Sequence, residues 1–244
     1  MNDRADSEAA TAGGGIRRRG LRDMVYDSIF RQLLSGAVPP GTRLRAESIA
    51  KELEVSPTPV REALVQLERT GLVTREARKG YRVAPPLQAS QMEQLFDARI
   101  MLETTAARLA ASASDRLLVE LEAAEDVHRR AGEALIAGRA AGSLDIELAA
   151  EYLAADTAFH EVIFRGCGND YLLEMSENLA AQIHRMRQIV LREVSDVKES
   201  IIEHEAIVQA FASGDPDAPE AAMRAHVEQV RQRERSPSFA RTPE

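Results

Sequence analysis

A carboxylate and an imidazole stand four residues apart in the segment DTAFH, at Asp156 and His160. Residues with this spacing lie on one face of an α-helix, one turn from each other. Such a pair can bind a single divalent ion, or it can form an ordinary ion pair on the helix surface. The spacing alone leaves both interpretations open.

Two further histidines lie in later apolar helical patterns, His204 in ESIIEHEAIVQAF and His226 in AAMRAHVEQV. A histidine on the inward face of a helix is either a hydrogen-bonded core residue or a metal ligand. Taken one at a time, each of these two histidines fits the core interpretation better. By contrast, we expect His128 in the segment EDVHRR to lie on the surface.

A second group of residues, in the stretch 44–82, is typical of a segment that binds nucleic acid. Its pattern predicts a short helix over 46–53, a tight turn, a second helix to about Thr70, and two short strands at 72–74 and 81–83. Ser56 can cap the second helix, and the next residue is a proline, which fits a first helical position. A helix-turn-helix followed by such a basic hairpin places its second helix in the DNA major groove.

The candidate DNA contacts lie on the second helix, before the first helix and in the hairpin. Hydroxyls at Ser56 and Thr58 can reach phosphates or bases, and Arg61 can bind guanine or clamp a phosphate. The opposite face of the same helix is apolar and is expected to be buried, with Val60, Leu64 and Leu67. The predicted DNA-binding residues are Arg45, Ser56, Thr58, Pro59, Arg61, Arg78, Lys79 and Gly80.

Charge is distributed unevenly along the chain, whose formal net charge is −8. Residues 16–86 carry 14 Lys and Arg against 8 Asp and Glu, whereas residues 87–244 carry 16 against 28. A basic segment ahead of an acidic one is typical of a DNA-binding domain attached to another domain. The alternative is a small basic helical domain with a solvated hairpin.

The elements that position these residues are mainly helices. We predict a mainly α fold, with an N-terminal winged helix-turn-helix and a C-terminal all-α antiparallel helical bundle. The predicted divisions are a disordered arm at 1–20, a DNA-binding domain at 21–86, an effector-binding and dimerisation domain at 87–234, and a flexible tail at 235–244. Candidate helices of the bundle are 91–112, 116–138, 145–166, 170–192, 197–213 and 217–233.

The composition excludes several classes of protein. The 244 residues contain no apolar run of about 18 residues, so no membrane span is predicted. The N-terminus lacks the apolar core of an export signal. A single cysteine, Cys167, excludes an internal disulfide and fits a reducing, cytoplasmic location.

The segments VSPTPVREALVQLERTGLV and RKGYRVAPP closely resemble the winged helix-turn-helix of the GntR family of bacterial transcription regulators. The helical remainder is similar to the FCD-type effector domain of the FadR subfamily. Pro57 and Glu47 stand where many relatives have arginines that contact DNA. Glu54 replaces a turn glycine common in the family, which would cost roughly 1 kcal/mol if it keeps a left-handed conformation.

The resemblance also implies a metal site and an effector site. Its ligands would be Asp156, His160, His204 and His226, holding zinc or, as alternatives, nickel or manganese. Arg99 would face the interior and bind an effector carboxylate through two parallel hydrogen bonds. It could instead form a surface ion pair with Glu103. Further effector-binding candidates are Asn178 and His184.

These features predict a regulator that is not an enzyme and that responds to a small organic acid at or near the metal. It would bind a near-palindromic double-stranded DNA operator as a homodimer, for instance as a repressor. The alternatives are a metal-dependent, hydrolase-like enzyme and a direct metal sensor. Against the enzyme, four candidate ligands occur without a separate general-base motif.

Overall fold

The computed structural model describes most of the chain between residues 20 and 235. Residues 1–19 of the predicted arm at 1–20, the wing residue Arg78 and residues 236–244 of the predicted tail at 235–244 lie outside the described residues. The described ranges are 20–34, 36–69, 71–77, 79–112, 115–140, 145–190 and 194–235.

The N-terminal part is a three-helix unit with a small antiparallel sheet, as predicted. The sheet has the order β1-β3-β2. The strand β1 was not predicted, because two residues carry no alternating pattern. The elements are α1 Leu21–Leu34, β1 Arg43–Leu44, α2 Ala46–Glu52, α3 Pro57–Arg69, β2 Val73–Glu76 and β3 Gly80–Val83.

Helix α3 is amphipathic, and its apolar face forms the centre of this unit. Val60, Leu64 and Leu67 are completely buried, as the sequence pattern predicts. They pack against α1, which contributes Val25 and Ile29 to the same core. The opposite face of α3 is therefore free to present polar side chains to a partner.

The turn between α2 and α3 contains Glu54 in a left-handed conformation, with φ of 55°. Among the described residues it is the one non-glycine residue with positive φ. The expected strain is therefore present, since a side chain in this region costs roughly 1 kcal/mol or more.

The C-terminal part is a helical bundle whose helix positions agree closely with the sequence prediction. Helix α5 packs on α6 and α8, while α4 packs on α9 and α6. Their shared core includes Phe96, Leu121, Phe159, Ile207 and Val227. The helices are α4 Ala89–Ala110, α5 Asp115–Ala140, α6 Ile146–Gly166, α7 Asp170–Val190, α8 Val194–Ala212 and α9 Ala218–Glu234.

Within the described ranges, no helix combines the length and the apolar character needed to cross a membrane.

Candidate metal centre and DNA-binding surface

Three histidines from three helices converge inside the bundle: His160 on α6, His204 on α8 and His226 on α9. Each offers a ring nitrogen, and the three nitrogens lie within 4.8 Å of one another. His204 and His226 are 0% and 2% exposed. Bundle packing thus brings together imidazoles that are far apart in the sequence, at the separations from which one ion could be bound.

Asp156 lies one turn before His160 on α6. Its carboxylate, however, forms a cluster with a different pair of residues. Its Oδ1 atom is 3.8 Å from Nε2 of His204 and 3.8 Å from Nε2 of His128. Asp156, His128 and His204 form a second cluster whose ligand atoms lie within 4.8 Å of one another. The four ligands implied by the resemblance therefore lie in one region, and their joint binding of an ion stays a prediction.

The expectation that His128 lies on the surface is wrong, because its side chain is completely buried. Its ring centroid is 4.2 Å from that of His204 and 4.9 Å from that of Tyr152. The signal that could have placed it is the spacing along α5: Leu121, His128 and Leu135 recur every seven residues and are all buried. Two helical turns separate each pair, so the three side chains share the inward face.

Arg99 lies inside the bundle, fully buried on α4. Its Nε atom donates a hydrogen bond of 2.7 Å to Oε1 of Glu103 one turn later. The pair is thus intrahelical, as one interpretation held, but it is interior rather than on the surface. The other carboxylate oxygen of Glu103 lies 3.0 Å from Nδ1 of His160. Burial alone would raise the pKa of Glu103, but Arg99 and His160 hold it well below the usual value.

A second carboxylate, which the sequence did not single out, contacts another clustered histidine. Oε2 of Glu203 is 2.8 Å from Nδ1 of His226, and Nη2 of Arg233 donates to the same oxygen at 3.0 Å. Burial would raise the pKa of Glu203, but His226 and Arg233 lower it below the usual value. Burial also lowers the pKa of His226, and the contact with Glu203 offsets this effect only in part. The lowered pKa favours the neutral imidazole.

The Glu203 contact leaves one ring nitrogen of His226 available, whereas neither ring nitrogen of His160 has a hydrogen-bond partner among the described residues. The Nε2 atoms of His160 and His226 are buried, and no described residue forms a hydrogen bond with either. A carboxylate on one ring nitrogen and a metal on the other is the usual arrangement of a metal-binding histidine. Neutral imidazoles with a carboxylate nearby suit a divalent transition metal. The residues therefore fit a metal ion, whose identity they do not define.

A small cavity of about 50 Å³ lies beside the histidines. Arg99, Glu103, Asp156 and His160 line it on one side, and α7 closes the other. Nη1 of Arg99 is buried without a hydrogen-bond partner among the described residues. Two effector-binding candidates, Asn178 and His184, are on α7, but their side chains lie outside the described part of the chain. The side chains of α7 in the wall are Ser176, Glu177, Leu179 and Ile183.

The predicted DNA-binding residues of the N-terminal unit are mostly exposed. Nη2 of Arg61 donates to Oε1 of Glu47 at 2.6 Å, so this recognition-helix arginine already has an acidic partner. Exposed ion pairs contribute only about 0–1 kcal/mol, so DNA can displace it. In the hairpin, Arg82 is bound to Glu76 at 2.7 Å. Pro59 is half-buried, and the exposed candidates are Arg45, Ser56, Thr58, Arg61, Lys79 and Gly80.

Comparison with known proteins matches each part of the chain to a protein family. The family of bacterial regulatory proteins named gntR matches residues 21–83, and the FCD domain family matches residues 94–229. The chain is 30% identical over 206 residues to the HTH-type transcriptional repressor GlaR of Escherichia coli (strain K12), covering 83% of this chain and 90% of that protein.

Two further proteins are similar over most of their length. A probable D-xylose utilization operon transcriptional repressor of Paenarthrobacter nicotinovorans is 28% identical over 214 residues, covering 87% of this chain and 88% of that protein. The solved structure of E. coli McbR/YncC superimposes with a TM-score of 0.63 at 22% identity, covering 87% of this chain and 96% of that one. At that identity the structural match supports the fold alone.

The chain therefore belongs to the GntR family of bacterial transcriptional regulators and carries an FCD effector domain. GntR regulators bind DNA operators, and the relatives are regulators rather than enzymes. The resemblance to the GntR family with an FCD domain and the fold class predicted from the sequence are confirmed.

Proposed function

We propose that this regulator binds a near-palindromic operator as a homodimer and senses a small carboxylic acid beside a metal ion in its FCD domain. One observation carries the proposal: buried Arg99, whose Nη1 atom has no hydrogen-bond partner among the described residues, lines a cavity that His160 of the histidine cluster also lines. Arg99 and a metal ion would together offer two positive groups to one carboxylate.

The chemistry of the cavity favours an anionic group at one end of the ligand. A guanidinium binds a carboxylate through charge-assisted hydrogen bonds, which are stronger than neutral ones. The ion would be held by Asp156, His160, His204 and His226, and zinc is our first choice, with nickel or manganese as alternatives. A bound metal would supply a Lewis-acid position for a carboxylate oxygen. The small volume of the cavity, about 50 Å³, favours a small acid as the ligand.

The DNA-binding part of the proposal rests on the exposed face of α3. Ser56 lies just before its start and Thr58 in its first turn, with Arg61 one turn further along. Residues at this end of a recognition helix reach base edges in the major groove. Two copies of the chain would place two such helices on the half-sites, and an acid-induced change in their relative angle would misalign them.

The test uses a double-stranded DNA ligand selected from a random pool and a panel of small organic acids in gel-shift titrations. We expect at least one acid to change operator affinity, because it bridges Arg99 and the ion. Arg99→Lys should retain DNA binding but lose most of the response, since an ammonium cannot form the paired contacts.

The matched control is Arg108→Lys, an exposed arginine on the same helix, which should respond like the wild-type protein. An operator affinity that no acid changes would contradict the proposal. So would an Arg99→Lys variant with an unaltered response.

A direct metal sensor is the second candidate, and the buried histidines themselves favour it. In that case the ion alone would change operator affinity. Titration of the chelator-treated protein with zinc, in the absence of any organic acid, separates the two. A full change in operator affinity with metal alone would identify the ion as the signal.

A further inference from the structure

We propose that His128 is a positioning residue of the metal centre, which holds the carboxylate of Asp156 in place for the ion without binding the ion itself. The inference rests on the single metal ion of the proposed function, held by Asp156, His160, His204 and His226, and adds a side chain that supports one of these ligands. Its starting observation is that a histidine predicted to be on the surface is completely buried beside that ligand.

The inward face of α5 carries a polar ring at a position where its neighbours on that face are aliphatic. Leu121 and Leu135, seven residues to either side of His128, are both buried in the apolar cores of the bundle. A buried imidazole costs free energy unless a polar partner offsets its loss of hydration. Packing alone therefore does not explain His128, because a leucine would continue the pattern of this face.

The carboxylate of Asp156, which is 3% exposed, is a polar group beside this ring. Nε2 of His128 lies 3.8 Å from Oδ1 of Asp156. This separation is longer than a direct hydrogen bond. An N–H group on that nitrogen nevertheless stabilises the carboxylate electrostatically, and such an interaction is stronger in a buried site than in water. The ring of α5 thus supports a ligand that belongs to α6.

Ring contacts set His128 apart from the three proposed histidine ligands. The rings of His160, His204 and His226 contact one another, with centroids 5.1, 5.3 and 4.8 Å apart. The ring of His128 contacts those of His204 and Tyr152, at 4.2 and 4.9 Å. His128 therefore flanks the cluster on the side of Tyr152, a position that fits a residue supporting a ligand.

An uncharged donor is well suited to this role. Carboxylates that bind metals are usually held by further hydrogen-bonding groups. His204 cannot hold Asp156 in this way, because a ring nitrogen that binds the ion carries no proton to donate. A lysine or arginine in place of His128 would compete with the ion for the carboxylate, whereas a neutral imidazole leaves its full negative charge to the ion.

The experiment measures the zinc affinity of the chelator-treated, full-length protein by competition with a chromophoric chelator, without DNA or organic acid. We expect His128→Leu, which fills this position without a polar group, to bind zinc at least about tenfold more weakly than the wild-type protein. His128→Gln should recover most of this loss, because its amide N–H can face the same carboxylate. The matched control is Leu135→Met, a change of similar volume on the same face of α5, which should bind normally.

The competing explanation is that His128 only fills space in the core, and a second background distinguishes the two. In Asp156→Asn the carboxylate is absent, so His128→Leu should then change zinc affinity by less than about twofold, because the two residues act as one unit. An equal loss in both backgrounds would overturn the inference. So would a His128→Leu variant with the affinity of the wild-type protein.

Nitrogen-15 spectra of the histidine rings in the wild-type protein give a readout that needs no variant. Zinc should shift a ring nitrogen in each of His160, His204 and His226 to a metal-bound position, and neither nitrogen of His128. A metal-bound nitrogen at His128 would make it a ligand and overturn the inference. A wild-type protein that binds no zinc would refute the metal centre and this inference together, whereas a failed acid response would refute the proposed effector alone.

Discussion

At the scale of single residues, the candidate metal centre is marked by glutamates that contact the Nδ1 atoms of two clustered histidines. Glu103 faces His160 at 3.0 Å, and Glu203 faces His226 at 2.8 Å. Each glutamate is held by an arginine, Arg99 in the first case and Arg233 in the second. A carboxylate at Nδ1 fixes the ring orientation and makes Nε2 a better metal ligand.

At this scale we predict that Glu203→Gln weakens zinc binding by about 10- to 100-fold, the usual loss when a residue that orients a ligand is removed. Competition with a chromophoric chelator measures the affinity. Glu199→Gln is the matched control, because Glu199 also binds Arg233, at 3.0 Å, and is half exposed. Equal losses in both variants would show that the effect passes through Arg233 rather than through the His226 ring.

At the scale of elements, the turn that joins α2 to α3 sets the angle at which the recognition helix is presented. Glu54 adopts the left-handed conformation there, with φ of 55°. The residue before the turn, Glu52, ends α2 in an ordinary helical conformation. The family-typical glycine would adopt the left-handed conformation without the clash that a side chain brings.

We therefore predict that Glu54→Gly raises the free energy of unfolding by up to about 1 kcal/mol, since relief of strain exceeds the entropy that glycine adds to the unfolded chain. Urea denaturation of the full-length protein measures it. The neighbouring change Glu52→Gly should instead lower stability by about 1 kcal/mol, because its helical conformation gains nothing from glycine. Destabilisation by both changes would mean that Glu54 forms compensating contacts.

At the scale of the whole molecule, α6 connects the metal centre to the DNA-binding unit. Its inner part carries Asp156 and His160, while Glu147 near its start pairs with Arg31 of α1 at 2.7 Å. A cleft of about 890 Å³ separates α1 from α6 around this contact. Helix α1 packs directly on the recognition helix, so the Arg31–Glu147 contact links α6 to the DNA-binding unit.

The exposed face of α3 and the basic charge of the N-terminal part predict how the chain binds DNA. We expect Arg61→Ala to lose specific operator binding with no change in metal affinity or oligomeric state, because Arg61 lies on the exposed face of α3, far in sequence from the FCD domain. Gel shifts at several salt concentrations measure affinity, which should fall steeply with salt for the wild-type protein. Arg69→Ala, at the other end of α3, should bind nearly normally; normal binding by Arg61→Ala would mean that the recognition helix is misassigned.

Local signals in the sequence were sufficient for the helices of both parts and for the apolar face of α3, whereas the strained turn at Glu54 was expected only from the family resemblance. These features depend on residues within a few positions of each other, whose spacing is set by helix and turn geometry. The same reasoning placed Arg99 inside the bundle only with the help of the family resemblance. It found neither the role of Glu203 nor the burial of His128.

The sequence by itself therefore determined which helices form and that a DNA-binding unit precedes an acidic helical domain. Only the tertiary structure decided which ionisable side chains meet: Glu203 against His226, and His128 against Asp156 and His204. The physical reason is that these contacts join different helices, and the packing of α5, α6, α8 and α9 sets their distances. A polar residue on an inward helix face is recognisable from spacing, but its partner depends on how the helices are arranged around it.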